Sequence, residues 1–237
     1  MAKIVFDIET SALSLDHFDD VQKEYLFRDA ERIADAEQRA ARHCEIQQML
    51  SLWPLTAQIV CIAMMNAETE RGQVLYVAEE AEAASDENEP VKFIPCMDEA
   101  ELLGGFWEVA RRYETAITFN GRTFDVPFIY MRSALLNVPI SRKDWLGYRY
   151  QFDTHCDLAD QFTFYNGGRD GATRRFNLDF YCKAFGIESP KAKGITGMDI
   201  NQLVAQKRFR EIAEYCLRDV HATVALYKIW RDRLSSC

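Results

Sequence analysis

The amino-acid sequence predicts a mixed α/β layer architecture with one central sheet, and three observations support this prediction. Short apolar runs typical of strands alternate with amphipathic helical patterns after an initial hairpin. The 237 residues are 48% hydrophobic and 27% charged, a composition that buries a sizeable core and excludes disordered and collagen-like chains. No linker rich in Pro, Gly and Ser divides the chain, so we expect one domain over residues 1–237.

The N-terminal part of the chain combines a short strand with a long helical segment. Residues 3–8 form a β-prone apolar run that ends abruptly in polar residues. Residues from about 16 to 53 are rich in Ala, Glu, Arg and Gln, with Glu24 and Arg28 at helical i,i+4 spacing. We predict one or two amphipathic helices there, a solvated helical insertion; nothing specific in the segment indicates a lid or a partner surface.

The next segments predict a hairpin followed by a loop. Residues 58–66 and 72–78 are strand-like and are joined by a turn at 68–71. The acid-rich stretch 79–95 interrupts this pattern and is bounded by proline, so we predict a surface loop with solvated charges. The remaining predicted elements are a helix at 98–113, a strand at 116–119, a helix at 128–136, a strand near 151–154, a helix at 178–185 and a helix at about 208–234.

Charge and cysteine content bear on the partners and the location of the protein. The 28 Lys and Arg against 37 Asp and Glu give a formal net charge of -9, which by itself argues against a nucleic-acid partner. The apolar runs are far shorter than the roughly 20 residues of a membrane span, and the first residues lack the pattern of a secretory signal. The 7 cysteines are scattered without a C-x-x-C pair. We therefore expect a soluble, reduced, cytoplasmic protein without a membrane partner or a structural zinc site.

Two acids end the first predicted strand. Asp7 and Glu9 are two positions apart, and such residues point to the same face of an extended chain, so both carboxylates can meet one ion. Acids are common at strand ends, however. This pair alone is therefore a weak signal of a metal site.

A third acid follows the strand predicted at 116–119. Asp125 comes after a polar turn and is enclosed by apolar residues, an arrangement that costs free energy unless the carboxylate is capped or bound to a metal. Capping of a helix N-terminus and metal binding explain this acid about equally well.

The last predicted helix carries Tyr215 and Asp219 at i and i+4, on one helix face. Alone, such a pair is typical of a helix surface. The acids of the three segments together supply the hard oxygen ligands that a two-metal phosphodiester cleavage site needs, with ions about 3.5–4 Å apart. These four acids are Asp7, Glu9, Asp125 and Asp219, and Tyr215 adds a group that orients water.

The three segments resemble the exonuclease motifs of the DEDDy branch of 3′–5′ exonucleases. The matching stretches are Phe6-Asp7-Ile8-Glu9-Thr10, Phe119-Asn120-Gly121-Arg122-Thr123-Phe124-Asp125-Val126-Pro127-Phe128-Ile129 and Tyr215-Cys216-Leu217-Arg218-Asp219. They occur in the family's order, and they are most similar to the proofreading domain of family B DNA polymerases, in particular to its free-standing bacterial relatives. Glu214 stands where the DEDDh branch has a histidine, which disfavours that branch.

The resemblance implies a ribonuclease H-like fold, with the first strand in the middle of a five-stranded mixed sheet and the last helix beside it. It also implies 3′–5′ exonuclease activity on single-stranded DNA with two divalent ions, Mg²⁺ or Mn²⁺. In that scheme Asp7 bridges both ions, and Glu9 and Asp219 complete the ion that holds the attacking water. Asp125 reaches the second ion through water. Tyr215 orients the attacking water, and since its ordinary pKa is about 10 the metal does most of the deprotonation.

The resemblance assigns substrate contacts as well. Thr10, Asn120 and Phe124 match positions that hold the terminal nucleotides, and a plain core position explains Phe124 equally well. Leu178 matches a position that packs against bases, although a core position explains it better. Residues 169–193 contain six basic and three acidic residues. That balance fits either a groove that tracks the phosphate backbone or a solvated loop.

Two other functions stay open at the level of sequence: an RNase D-like enzyme that acts on RNA, and a non-catalytic module that binds nucleic acid. The stretch 120–129 resembles the DNA version more closely, and all five catalytic positions are filled, so a DNA exonuclease is expected first. The negative net charge does not exclude it. Residues 78–101 contain nine acids and one lysine, a local charge of -8, which leaves -1 for the rest of the chain, and two divalent ions would neutralise the four ligand acids.

Overall fold

The computed structural model describes residues 2–78, 89–166, 173–189 and 197–235, and its centre is a mixed sheet with helices on both faces. The strands are β1 (Lys3–Ala12), β2 (Ala57–Asn66), β3 (Gly72–Val77), β4 (Val91–Cys96), β5 (Thr115–Thr118) and β6 (His155–Asp157). The helices are α1 (Asp20–Glu31), α2 (Ala36–Met49), α3 (Glu99–Ala110), α4 (Asp125–Leu135), α5 (Leu158–Phe162), α6 (Leu178–Ala184), α7 (Ile200–Ala205) and α8 (Phe209–Arg233).

The strands lie in the order β4-β3-β2-β1-β5-β6. β2 pairs antiparallel with both β1 and β3, whereas the pairs β1/β5, β5/β6 and β3/β4 are parallel. β1 therefore lies inside the sheet, as predicted. Parallel neighbours on one side and antiparallel neighbours on the other give the mixed sheet that the sequence indicated.

The two faces of β1 pack in different apolar cores, and its two edges are paired over different lengths. Alternate residues from Ile4 to Ile8 belong to the apolar core on one face, and Val5 belongs to the core on the other face. The strand pairs with β2 along its length but with β5 only as far as Val5. In the described part of the chain, the second half of β1 thus has one edge with no strand beside it. Asp7 and Glu9 lie in this half.

Two apolar cores fill the two faces of the sheet. The core beneath α3 and α4 centres on Phe6, Phe106, Trp107 and Trp145, whose ring centroids lie 4.9 to 6.0 Å apart. The other core lies beneath α8, a helix of 25 residues that packs across β1 and β2. Because α8 is buried along one face, its polar residues on that face are held against the sheet.

The structure adds one strand to the five that were expected. β4 lies in the stretch predicted to be a surface loop, where it pairs parallel with β3 from Val91 to Cys96 at the edge of the sheet. An edge position tolerates Pro95, because a strand at the edge leaves one row of N–H groups unpaired. The acid-rich sequence gives no local strand signal, because β4 is stabilised by its pairing with β3. Residues 79–88 of the predicted loop lie outside the described residues.

The segment predicted as a helical insertion does contain two helices. Asp19 forms a capping box with Gln22 at the start of α1, and Asp35 caps α2. A small apolar cluster joins the two helices, formed by Phe27, Ala30, Ile46 and Leu50. Among the described helices of the chain, none is long and apolar enough to cross a membrane.

Candidate active site

Asp7 and Glu9 lie on the face of β1 that packs against α8. Oxygen atoms of the two carboxylates and the sulfur of Cys216 all lie within 4.8 Å of one another. The Cys216 Sγ lies 3.4 Å from the Asp7 carbonyl oxygen and 3.7 Å from its carboxylate, so α8 touches the strand at this point. The register between β1 and β2 shifts immediately after Glu9, and such irregularities re-aim side chains next to active sites.

Asp125 reaches the same strand from the start of α4. Its Oδ1 accepts a hydrogen bond of 3.2 Å from the backbone N–H of Ile8. β5 has ended by Thr118, so the carboxylate satisfies an N–H on the edge of β1 that has no strand beside it. The N-cap position of α4 belongs to Phe124, with Asp125 as the first helical residue. Asp125 is therefore not the N-cap residue, although its carboxylate also accepts a hydrogen bond from its own N–H in the first turn of α4.

Tyr215 and Asp219 lie one turn apart in the middle of α8. The side chain of Tyr215 is buried, and its hydroxyl is hydrogen-bonded to the Asp219 carboxylate. The guanidinium carbon of Arg218 lies 5.6 Å from the centroid of the Tyr215 ring. A buried tyrosine in a long regular helix is held rigidly, so this pair is not the solvated surface pair that an isolated motif suggests.

Burial and mutual repulsion raise the pKa values of the clustered acids. The pKa of Asp7 lies well above its ordinary value because the carboxyl group is desolvated and because Asp125, Asp219 and Glu9 add negative charge. The pKa of Glu9 is also well above its ordinary value, through burial and through the charges of Asp219 and Asp125. The four acids of the three sequence motifs therefore share one electrostatic site.

Asp125 and Tyr215 show the same effects. Burial raises the pKa of Asp125 to about 7, although the backbone N–H groups of Asp125 and Ile8 oppose the shift. Burial, followed by the charge of Asp219, raises the pKa of Tyr215 far above its ordinary value. Tyr215 is thus protonated at neutral pH, so its hydroxyl donates a hydrogen bond and does not accept a proton as a base.

The donor set of this site fits hard divalent ions. Among the described residues, no Lys or Arg forms an ion pair with Asp7, Glu9 or Asp125. Buried carboxylates without a cation are costly, and their oxygens are the ligands that Mg²⁺ and Mn²⁺ prefer. Burial raises the pKa of the Cys216 thiol well above its ordinary value, so in the absence of a metal this group is a neutral thiol beside the carboxylates.

A cavity of about 570 Å³ opens beside Glu9. Thr10 and Phe124, two of the predicted substrate contacts, line it. The helical insertion forms the opposite wall, and the Thr10 Oγ1 donates a 2.7 Å hydrogen bond to the Ser51 carbonyl between the two walls. The other lining residues are Ile8, Glu45, Gln48, Met49, Leu52, Gly197 and Asn201. A volume of this size is typical of a pocket for a small ligand.

Asn120 and Leu178, the other two predicted substrate contacts, do not line this cavity. Asn120 has a left-handed backbone (φ 67), and its Oδ1 accepts hydrogen bonds from Thr123 and Arg175. Leu178 begins α6 and packs against the core beneath α8, which favours a structural role.

The predicted basic segment at 169–193 lies only partly within the described residues. Residues 169–172 and 190–193 lie outside them. Within the described part, the Lys183 Nζ lies 2.9 Å from the Asp179 carboxylate, and Arg175 lies against Asp160. The alternative of a continuous basic groove through this segment thus stays a prediction.

Sequence reasoning missed several residues of the site. Cys216 lies three positions before Asp219, a helical spacing that could have placed it on the same face. Met49, Leu52 and Asn201 carry no local signal, because they reach the cavity only through the packing of the helical insertion and α7 against β1.

Comparison with known proteins identifies the family. Residues 53–234 match a family described as "Predicted 3'-5' exonuclease related to the exonuclease domain of PolB". The matched range covers more than half of the chain. It includes Asp125, Tyr215 and Asp219 and begins after β1.

Two curated relatives are named DNA polymerase 1. The protein from Saccharolobus solfataricus is 29% identical over 136 residues, and the protein from Sulfolobus acidocaldarius is 32% identical over 139 residues. Each match covers 54% of this chain and 15% of the relative. The chain thus spans only a small part of the length of these curated relatives.

A solved structure, the family B DNA polymerase from the hyperthermophilic archaeon Pyrobaculum calidifontis, is similar over 98% of this chain and 24% of the polymerase chain. The TM-score is 0.58 at 19% sequence identity, so the similarity concerns the fold. It confirms the expected ribonuclease H-like fold class.

Proposed function

The chain belongs to the family of predicted 3′–5′ exonucleases related to the exonuclease domain of PolB, and we propose that it removes nucleotides from the 3′ end of single-stranded DNA. One observation carries the proposal. Four acids from β1, α4 and α8 share one site, in which Glu9 and Asp125 are buried and the other two are half-buried. Three of them, Asp7, Glu9 and Asp125, have no Lys or Arg ion-pair partner within the described residues. Such a site needs cations from solution.

The four acids would hold two divalent ions, Mg²⁺ or Mn²⁺. Ions bound in such a site supply Lewis acidity, which lowers the pKa of water and neutralises charge on a phosphate group. Asp7 and Glu9 present oxygens from one strand face, and Asp125 and Asp219 approach from the two helices that flank it. Rigid elements thus carry every proposed ligand, which keeps the carboxylates in place while the substrate changes.

Tyr215 would orient the attacking water in a DEDDy-type mechanism. Its raised pKa keeps the phenol protonated, so it contributes a hydrogen-bond donor instead of a base. The hydrogen bond to Asp219 holds that carboxylate in position. A Tyr215→Phe variant should therefore lose turnover while it keeps the fold, because only the hydroxyl is removed.

The terminal nucleotide would occupy the cavity beside Glu9. Thr10 offers a polar contact from the strand, and the Phe124 ring offers an apolar face for a base. Contacts of this kind tolerate any base, as an enzyme that degrades ends of any sequence requires. The relatives named as DNA polymerases favour DNA as the substrate, and an RNA substrate is an outcome that the following experiment would reveal.

The test uses a single-stranded oligonucleotide with a label at its 5′ end, as DNA and as RNA, with Mn²⁺ or Mg²⁺. The expected result is a ladder of labelled products that shorten from the 3′ end, with DNA degraded faster. Asp7→Asn should abolish the ladder. The matched control Asp232→Asn removes one acid from the exposed end of α8 and should leave the ladder unchanged.

Three results would overturn the proposal. Release of the label in the first step would mean attack from the 5′ end. Digestion that survives in Asp7→Asn would mean that the four acids are not the catalytic site. Binding of DNA without digestion under any divalent ion would indicate a non-catalytic binding module.

A further inference from the structure

Three arginines meet one buried carboxylate beside the loop that leads into α4. Nitrogen atoms of Arg122, Arg149 and Arg175 lie 3.5, 2.7 and 2.5 Å from the carboxylate oxygens of Asp160. The Asp160 side chain is 3% exposed, whereas those of Arg149 and Arg175 are 49% and 32% exposed. The neighbouring Asp157 carboxylate accepts hydrogen bonds from three backbone N–H groups. Three positive charges against Asp160 leave an excess of positive charge open to solvent.

These arginines line a cavity of about 580 Å³. Its other lining residues are Thr123, Asp160, Tyr165 and Asn166, so Asp160 is the only acid among the described residues of the wall. Guanidinium groups present several N–H donors in a planar fork that matches the oxygens of a phosphate. The chemistry of the cavity therefore fits a phosphodiester group.

Exposed tyrosines surround the arginines. Tyr148 and Tyr150 flank Arg149 in the sequence and are 67% and 53% exposed. Their ring centroids lie 5.4 Å apart, and the ring of Tyr165 lies 4.9 Å beyond that of Tyr150. Proteins that bind single strands combine a basic groove with aromatic side chains in this way, because every base has a face that stacks.

The backbone holds Tyr165 at the cavity in an unfavourable conformation. Phe164 and Tyr165 both have left-handed backbones, with φ values of 49° and 60°. Bulky residues avoid this region, and such strain concentrates at ligand sites. A hydrogen bond of 2.8 Å from the Tyr165 N–H to the Asp160 carbonyl maintains the conformation.

The cavity lies across one loop from the candidate active site. Thr123 lines the arginine cavity, and the next residue, Phe124, lines the cavity beside Glu9. Arg175 donates a 2.7 Å hydrogen bond to Asn120 at the other end of the same loop. A strand that ends beside Glu9 could therefore cross this loop and continue onto the arginines and tyrosines.

We propose that this tyrosine–arginine surface binds the nucleotides on the 5′ side of the terminal one. It is formed by Arg122, Tyr148, Arg149, Tyr150, Tyr165 and Arg175. The arginines contact phosphates and the tyrosines stack on bases. This inference rests on the proposed function for the direction of the strand, and it names the part of the DNA that the surface recognises.

The test measures the affinity of the full chain for a fluorescent oligothymidine long enough to cover both sites, in the Asp7→Asn background so that the DNA stays intact. Arg149 and Tyr150 are changed because they are half exposed, whereas Arg122 is held by the carbonyls of Gly147 and His155. Arg149→Gln with Tyr150→Ala should weaken binding about tenfold. The slope of log affinity against log salt should fall by about 0.7 for the phosphate contact that is lost.

The chain offers a matched control on α1, where the Arg28 guanidinium carbon lies 4.9 Å from the exposed ring of Tyr25. Arg28→Gln with Tyr25→Ala should change neither the affinity nor the salt slope. In the otherwise wild-type enzyme, the Arg149/Tyr150 variant should degrade the long oligonucleotide with a raised KM and a much smaller change in kcat. These readouts separate a binding role from a loss of fold.

The outcomes distinguish this inference from the proposed function. An unchanged affinity and salt slope in the Arg149/Tyr150 variant, or an equal loss in the Arg28/Tyr25 control, would overturn the inference even if wild type digests DNA. Weakened binding in the first variant alone would support the surface even if wild type digests nothing, in which case only the proposed activity fails.

Discussion

Acids lie on both faces of the same sheet, and the structure neutralises the acid on one face but not those on the other. Glu99, at the start of α3, accepts two hydrogen bonds from the Arg132 guanidinium on α4, the first of them 2.9 Å long, and a third from the Ile59 N–H. Asp7 and Glu9, on the face beneath α8, have carboxylate neighbours and no basic ion-pair partner among the described residues.

The difference separates a structural acid from the acids that we propose to be catalytic. Glu99 is neutralised within the protein, and the pair joins α3 to α4 and to the carbonyl of Pro54. Asp7 and Glu9 repel one another together with Asp125, so their site is stable only if something outside the chain neutralises it. Burial alone therefore does not mark a catalytic acid, and we propose that several acids which repel one another without an internal cation do.

The largest expected effect is on the buried ion pair between Glu99 and Arg132. Arg132→Met leaves Glu99 buried and unpaired, so we expect the free energy of unfolding to fall by about 3–5 kcal/mol. Chemical denaturation of wild type and variant measures the change. Adding Glu99→Gln should restore part of the stability, since no buried charge then stays uncompensated. A variant with wild-type stability would remove the contrast between the two faces.

Divalent ions should produce the next largest effect, on the other face. Mn²⁺ at one hundred times its dissociation constant should stabilise the folded chain by about 2.7 kcal/mol, which corresponds to roughly 5–10 °C in Tm. Asp7→Asn should abolish the rise, while the Asp232→Asn control should keep it. Thermal melts with and without Mn²⁺ make the comparison, and an unchanged wild-type Tm would count against the metal site.

The effect of pH on the free energy of unfolding of the metal-free chain should be smaller than the effect of Mn²⁺. Burial raises the folded-state pKa of Asp125 from 3.8 to about 7, so in this interval the folded chain holds a proton that the unfolded chain has released. The free energy of unfolding should therefore fall as pH rises from about 4 to about 7, by about 1–2 kcal/mol once water entry has relaxed the site. Asp125→Asn should make this profile less steep in melts with a chelator present, and the rest of the slope comes from Asp7 and Glu9, whose pKa values are also raised. Stability that rises over the interval would contradict the shifted pKa.

The smallest effect is expected at an exposed ion pair. Glu70 pairs with Lys228 of α8, and the hydrogen bond and charge of Lys228 lower the pKa of the Glu70 carboxyl. Because water already solvates both groups, Lys228→Met should change the free energy of unfolding by about 1 kcal/mol or less. Chemical denaturation of Lys228→Met and Arg132→Met under the same conditions compares the two losses in the free energy of unfolding. Equal losses would show that burial does not determine how much an ion pair contributes to stability.

The sequence predicted the residues of the proposed site and part of the framework. Four strands and the principal helices followed from local periodicity, and three motifs indicated the acids. The strand expected near 151–154 lies directly after that range, as β6 at His155–Asp157. β4 was missed because its order depends on pairing with β3, and the short helices α5 and α7 carry too few residues for a periodic signal. Among the predicted substrate contacts, only Thr10 and Phe124 reach the cavity beside Glu9.

The sequence by itself determined which side chains can hold ions, orient water and form strands, because residue type and spacing along the chain suffice for these properties. The tertiary structure decided which of them meet. The hydrogen bond from the Ile8 N–H to the Asp125 carboxylate joins residues 117 positions apart in the sequence. The contact of Cys216 with Asp7 joins residues 209 positions apart. Periodicity reports only on neighbours within a few residues, whereas burial, repulsion and the wall that the helical insertion adds depend on packing between distant segments.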